Sequence, residues 1–168
     1  MIKKIGFIIN NERKDAIKLA VDVLKMLDGR GIKIYLEKQS EKKFFGKNIF
    51  YFEDTANLKD LNIIIVLGGD GTFLVASRKF IKYSIPILGI NCGGLGFLTE
   101  IPKSSYIEVI NDILDGKFKI QKRMLLDVRL IRENKIIYNS TVLNDAVISK
   151  KLIAKLLTLE TYINLKFN

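Results

Sequence analysis

The segment NIIIVLGGDGTF, residues 62–73, constrains the fold more than any other. Five consecutive apolar residues, Ile63 to Leu67, end abruptly at Gly68 and Gly69. A strand with one face in water alternates apolar and polar side chains. An unbroken apolar run of this length therefore predicts a strand covered on both faces, as in a parallel sheet with helices on each side. The run is far short of the ~20 residues that cross a bilayer.

The chain up to residue 116 follows the same plan. KKIGFII at 3–9 reads as a strand, and Ile17, Ala20, Val21, Leu24 and Leu27 recur at helical spacing before the glycine stop DGRG. IKIYLE at 32–37 alternates as a strand does, the basic stretch 38–48 reads as a surface loop, and IFYF follows as a short extended piece. Residues 72–82 read as a helix, Pro86 opens the strand PILGIN, and 102–115 reads as a helix ending at DG. Strands alternating with helices imply an open, Rossmann-like α/β domain over residues 1–116. After Gly116 the pattern changes to alternation (Leu126, Val128, Leu130) with a turn at ENK, 133–135, so 117–168 reads as the beginning of an antiparallel, β-rich domain. In KLIAKLLTLETYINLKF, helix and strand compete, and the second half is better read as strand.

Composition removes several chemistries. The 168 residues contain one cysteine, Cys92, and no histidine, which excludes an internal disulfide, histidine-assisted nucleophiles and Cys/His zinc sites. Any acid or base must be Asp, Glu, Lys, Tyr or the single thiol. The net charge of +10 is carried mostly by scattered lysines, without the clustered arginines and interleaved aromatics of a nucleic-acid reader. Such a surface is solvated and suited to attracting small polyphosphates. The apolar start, Ile5 to Ile9, is too short for a signal peptide, so a cytoplasmic protein without membrane contact is expected.

Three segments can carry chemistry, and the first two lie where an open α/β sheet binds ligands, beyond the carboxyl ends of strands. In GGDGT, the backbone at Gly68, Gly69, Gly71 and Thr72 can approach a phosphate at a helix start. The segment is neither a Walker A loop nor a Gly-x-Gly-x-x-Gly fingerprint. Asp70 puts a negative charge in that cradle, where a carboxylate can accept a proton from a hydroxyl or hold magnesium; otherwise it caps the next helix. In GINCGGLGFLTE, residues 89–100, Asn91 and Phe97 are the groups able to recognise something, Phe97 either covering a flat base or filling the core. In LNDAVISK, residues 143–150, Asn144 and Asp145 can hydrogen-bond two ribose hydroxyls or form a strand-end turn.

Taken in order, LGGDGTFLVASR, PILGINCGGLGFLTE, RMLLDV, VLNDAVISK and LETYIN resemble the bacterial NAD kinases over nearly the whole chain. GGDGT alone is shared with diacylglycerol-type and sphingosine-type lipid kinases; the combination is more specific. The resemblance implies transfer of the γ-phosphoryl group of ATP, or of polyphosphate, to the 2′-hydroxyl of the adenosine ribose of NAD, with Mg²⁺ accompanying the donor. It implies that Asp70 accepts the proton, that Gly71 lies with it at the nucleotide, that Asn144 and Asp145 bind NAD, that Lys155 lies near the dinucleotide, and that Phe97 lies beside the adenine. It also implies a homo-oligomer. Members of that family continue beyond LETYIN, so a fragment or a shortened relative is expected. The competing readings are a silent nucleotide-binding chain, a lipid kinase of the GGDGT type and, more distantly, a basic nucleic-acid binder.

Overall fold

The computed structural model describes residues 2–54, 56–94, 96–149, 156, 158–164 and 166–167. They form two compact units, Met1–Met124 and Leu125–Asn168.

The first unit is built on six strands: β1 (Lys4–Ile9), β2 (Lys33–Glu37), β3 (Ile49–Phe52), β4 (Ile63–Gly68), β5 (Ile87–Asn91) and β6 (Ile101–Pro102). Their order is β3-β2-β1-β4-β5-β6, and every neighbouring pair is parallel. Three helices complete the unit: α1 (Lys14–Leu27), α2 (Asp70–Phe80) and α3 (Tyr106–Leu114). The apolar run is the reason for the layering. Ile63, Ile65 and Leu67 join Ile5, Phe7 and Ile9 in one core with α1 and α3, while Ile64 and Val66 face the other way, with Ile8, against Ala76 and Phe80 of α2. No residue from Ile63 to Leu67 is more than 4% exposed. Each such side chain stabilises the fold by roughly 1.5–3 kcal/mol relative to exposure.

Strand order reverses at the β1–β4 pair, since the chain builds outward to β2 and β3 on one side and to β5 and β6 on the other. Connections leave the carboxyl ends of β1 and β4 in opposite directions, which opens a crevice there.

Several expectations shift in detail. Helix α2 begins at Asp70, two residues earlier than its apolar spacing suggests, and gives way at Ile81–Tyr83 to a 3-10 turn. The buried stripe of α1 is Ala16, Leu19, Ala20, Val23 and Leu27, with Ile17, Val21 and Leu24 at its margin. Gly29, at φ +73°, ends that helix as expected. The stretch read as a surface loop contains a 3-10 turn, Lys38–Ser40, and buries Phe44. Its neighbour Phe45 is 83% exposed, and two adjacent aromatics in a basic segment have no period to reveal which one packs inward.

The second unit holds a hairpin of β7 (Leu126–Arg132) and β8 (Lys135–Val142), antiparallel as the alternation predicts. Glu133 and Asn134 form its two-residue turn at φ +49° and +58°, the left-handed pair whose twist matches the flanking strands. Apolar side chains on both faces, among them Leu130, Ile131, Ile136 and Ile137, are exposed. The strand predicted for the second half of the final segment reduces to two short pairing strands, β9 (Tyr162–Ile163) and β10 (Lys166–Phe167). Its first half, at 151–155 and 157, lies outside the described residues.

Ile65, completely buried in the central strand, tests this architecture. Ile65→Ala should lower unfolding free energy in urea titrations by about 2–5 kcal/mol. A loss under about 1 kcal/mol would mean that β4 is not sandwiched between helices.

Candidate functional site

The site begins where β4 meets α2. Gly68 closes the strand, Gly69 occupies the helix N-cap in an extended conformation, and Asp70 is the first helical residue. Asp70 does not cap its own helix. Its carboxylate instead reaches the loop after β5. The Phe97 N–H donates to Oδ2 at 2.8 Å, and the Leu98 N–H, Thr99 N–H and Thr99 hydroxyl donate to Oδ1 at 3.1, 3.0 and 2.9 Å. Partial desolvation, the largest single influence, pulls the carboxyl pKa upward, but these four bonds together outweigh it and hold the group below its usual 3.8. Asp70 is therefore an anion at neutral pH, fixed from one side by donors.

The glycines sort into two kinds. Gly96 is required by packing, because a Cβ there would run into Asp70 Oδ1 and lie 2.7 Å from its Cγ. A Cβ on Gly68 would lie 2.5 Å from Thr72 Oγ1, and one on Gly89 would lie 2.6 Å from Thr99 Cγ2. Gly69, Gly71 and Gly94 face open space within 4 Å, which leaves backbone accessible to a ligand. Thr72 is half-buried, and Asn10 Nδ2 donates to its hydroxyl at 3.3 Å, linking the ends of β1 and α2 across the crevice.

Asn91 is only 3% exposed, and its amide is spent internally: Oδ1 accepts from the Gly93 N–H at 2.7 Å, and Nδ2 donates to Thr99 Oγ1 at 2.8 Å. It shapes the loop from beneath. Phe97 stands at the opposite extreme, 93% exposed at the loop's tip, so it does not fill the core. Thus Gly68, Gly69, Asp70, Gly71, Thr72, Asn91 and Phe97 come together around the carboxyl ends of β4 and β5. Asn144 and Asp145 are exposed in the second unit, in the bend after β8. Lys155 lies outside the described residues.

Two contributors escaped the sequence reading. Thr99 supplies two of the four donors to Asp70. Arg13, at the N-cap of α1, donates through Nη2 to the Cys92 carbonyl at 3.1 Å, and its guanidinium fills the space beside Gly93 that a Cβ would need. Thr99 could have been sought as the first hydroxyl after the glycine cluster; for Arg13 no signal existed. Burial raises the pKa of the Cys92 thiol and leaves it uncharged. No three Asp, Glu or Cys side chains among the described residues gather as a metal cage.

Two outcomes check this geometry. Gly96→Ala should cost about 1–3 kcal/mol of stability by displacing the Asp70 carboxylate from its donors, whereas Gly94→Ala should stay within about 0.5 kcal/mol of wild type. Because the folded pKa of Asp70 is depressed, its stabilisation is complete above pH 3.8 and drains away as pH falls through the folded value. Acid denaturation of Asp70→Asn, followed by circular dichroism, should lack that component below pH 3.8.

Residues 5–118 match the family model described as the ATP-NAD kinase N-terminal domain. An NAD kinase of Acetivibrio thermocellus is 37% identical over 165 residues, covering 96% of this chain and 55% of the relative. One from Aquifex aeolicus is 40% identical over 125 residues, 74% of this chain and 45% of the relative. The bifunctional NADP phosphatase/NAD kinase of Methanocaldococcus jannaschii is 32% identical, over 96% of this chain and 27% of its own length. Among solved structures, yeast NADH kinase complexed with NADH superposes with a TM-score of 0.73 at 16% identity, covering 85% of this chain and 47% of that one, a likeness of fold. The chain spans about half the length, or less, of the curated relatives it matches. With the family model matched over residues 5–118 and a relative 37% identical over 96% of the chain, the chain belongs to the NAD kinase family.

Proposed function

We propose that this chain carries the phosphoryl-transfer centre of an NAD kinase, in which the adenosine-ribose 2′-hydroxyl of NAD attacks the γ-phosphorus of ATP to give NADP and ADP. The observation that carries the reading is the Asp70 carboxylate, ionised and held at the mouth of the switch-point crevice beside open glycine backbone. A carboxylate of depressed pKa is too weak a base to ionise an alcohol beforehand. Asp70 instead orients the hydroxyl and takes its proton as the new O–P bond forms and the bond to ADP breaks. Positioning and charge neutralisation supply most of the acceleration.

The other residues take roles around that step. Gly69 and Gly71 offer unobstructed backbone to phosphate. The exposed Phe97 ring is free to cover the adenine. Asn144 and Asp145, exposed after β8, are assigned to NAD, and Lys155 to its neighbourhood, by the family resemblance. A divalent cation held by the donor's phosphates would supply charge neutralisation at the transferring group. Polyphosphate is the alternative donor. Exposed apolar side chains on both faces of the β7–β8 hairpin suit pairing with further chain or a second copy, consistent with a homo-oligomer. None of the described helices is long and apolar enough to span a membrane. Relatives named NAD kinases weigh against a lipid substrate.

Incubation of the full chain with NAD, ATP and Mg²⁺ should yield NADP. Asp70→Asn should bind NAD yet lose at least about 100-fold in turnover. Turnover within a few-fold of wild type would remove Asp70 from the role. NAD binding without any NADP from the wild-type chain would leave a binding protein in place of a kinase.

A further inference from the structure

We propose that Thr99 is a positioning residue that divides the work between the two oxygens of Asp70: its hydroxyl hydrogen is locked onto Oδ1, and Oδ2 is kept for the incoming hydroxyl. The second half of this statement rests on the phosphoryl-transfer reading above. The first half stands on geometry alone.

The direction of each hydrogen bond is forced. Gly93 N–H can only donate, so the Asn91 atom facing it at 2.7 Å must be the carbonyl oxygen. That fixes the amide orientation and makes Nδ2 the atom 2.8 Å from Thr99 Oγ1. An amide nitrogen also only donates, so the hydroxyl must accept there. Its single hydrogen is then directed to the remaining partner, Asp70 Oδ1, 2.9 Å away. Backbone amide, side-chain amide, hydroxyl and carboxylate form one chain of bonds with one polarity. Thr99 is fully buried and Asn91 nearly so, which protects the chain from competing water.

The two carboxylate oxygens consequently differ. Oδ1 accepts three bonds, from the Leu98 N–H, the Thr99 N–H and the Thr99 hydroxyl. Oδ2 accepts one, from the Phe97 N–H at the exposed tip of the loop. An oxygen with three donors has little capacity left for a fourth, while Oδ2 retains lone-pair space. A proton arriving at the carboxylate goes to Oδ2. The groups facing the carboxylate are these donors; no Lys or Arg among the described residues forms an ion pair with it. Threonine suits the position twice over, because its methyl packs where Gly89 leaves room and its hydroxyl completes the chain.

The test compares Thr99→Val, which keeps the shape and deletes the hydroxyl, with Thr99→Ser, which keeps the hydroxyl. In the full chain labelled with ¹³C-carboxyl aspartate, and with Asp70→Asn to assign the signal, the Asp70 titration midpoint should rise in the valine variant and stay at the wild-type value in serine. In the NADP assay, kcat should fall at least about tenfold in valine with KM for NAD changed less than about threefold, and serine should recover most of the loss. In wild type, the Thr99 hydroxyl proton should exchange slowly enough to be seen, which keeps the inference testable should the valine variant not fold. An unshifted Asp70 midpoint in folded Thr99→Val, or a hydroxyl proton exchanging as fast as that of an exposed threonine, would overturn the proposal. A loss confined to KM would overturn the role of Oδ2. If the wild-type chain forms no NADP, the kinase reading fails, while titration and exchange still decide the role of Thr99.

Discussion

One carboxylate and four hydrogen-bond donors hold the functional end of this molecule in place. Asp70 stands where α2 begins, and residues 97–99 stand beyond β5, so the carboxylate ties the two glycine-rich segments together. The sheet brings them together: β4 and β5 are neighbours in register, with Gly68 opposite Asn91. From that register follow the placement of Asn91 beneath the loop, the exclusion of any side chain at Gly96 and the outward display of Phe97. A helix start ordinarily welcomes an anion. Here the protein supplies the anion itself and uses it as a fastener, leaving neighbouring backbone at Gly69 and Gly71 uncovered.

What could be read in advance was whatever has a period. The apolar run of β4, the alternation of β7 and β8 and the glycine stop of α1 all express local geometry, and local geometry leaves a mark in spacing. The buried stripe of α1 shares Ala20 and Leu27 with the spacing read from sequence but otherwise lies one residue to the side, at Ala16, Leu19 and Val23, because apolar residues run on both flanks of the stripe. Strand β6, two residues long, is too short to show a pattern. In the site, Asp70 could be singled out because a charge among glycines is anomalous, but its partners could not. They lie 27 to 29 residues away, and three of the four donors are backbone N–H groups, which every residue except proline possesses; only the Thr99 hydroxyl has a side-chain identity to look for.

The two classes of glycine carry a similar lesson about function. In sequence Gly68, Gly69 and Gly71 look interchangeable as candidate phosphate contacts, and Gly94 and Gly96 carry no distinguishing mark. Structure separates those that admit a neighbouring side chain, Gly68 and Gly96, from those that leave open space, Gly69, Gly71 and Gly94. Gly69 and Gly71, of the second kind, flank Asp70 at the first turn of α2. Phe97 marks another wall of the same opening. That arrangement lies within the residues matched by the family model, in a chain that spans about half the length of its relatives.

The separation between Asp70 and its donors has a consequence for how the site comes into being. Closing a span of 27 residues costs entropy that local contacts do not, and it is recovered only after β4 and β5 have aligned. No partial version of the carboxylate's surroundings can exist in a chain that has not formed its central sheet. The depressed titration of Asp70 in the wild-type chain thus reports that β4 and β5 have aligned.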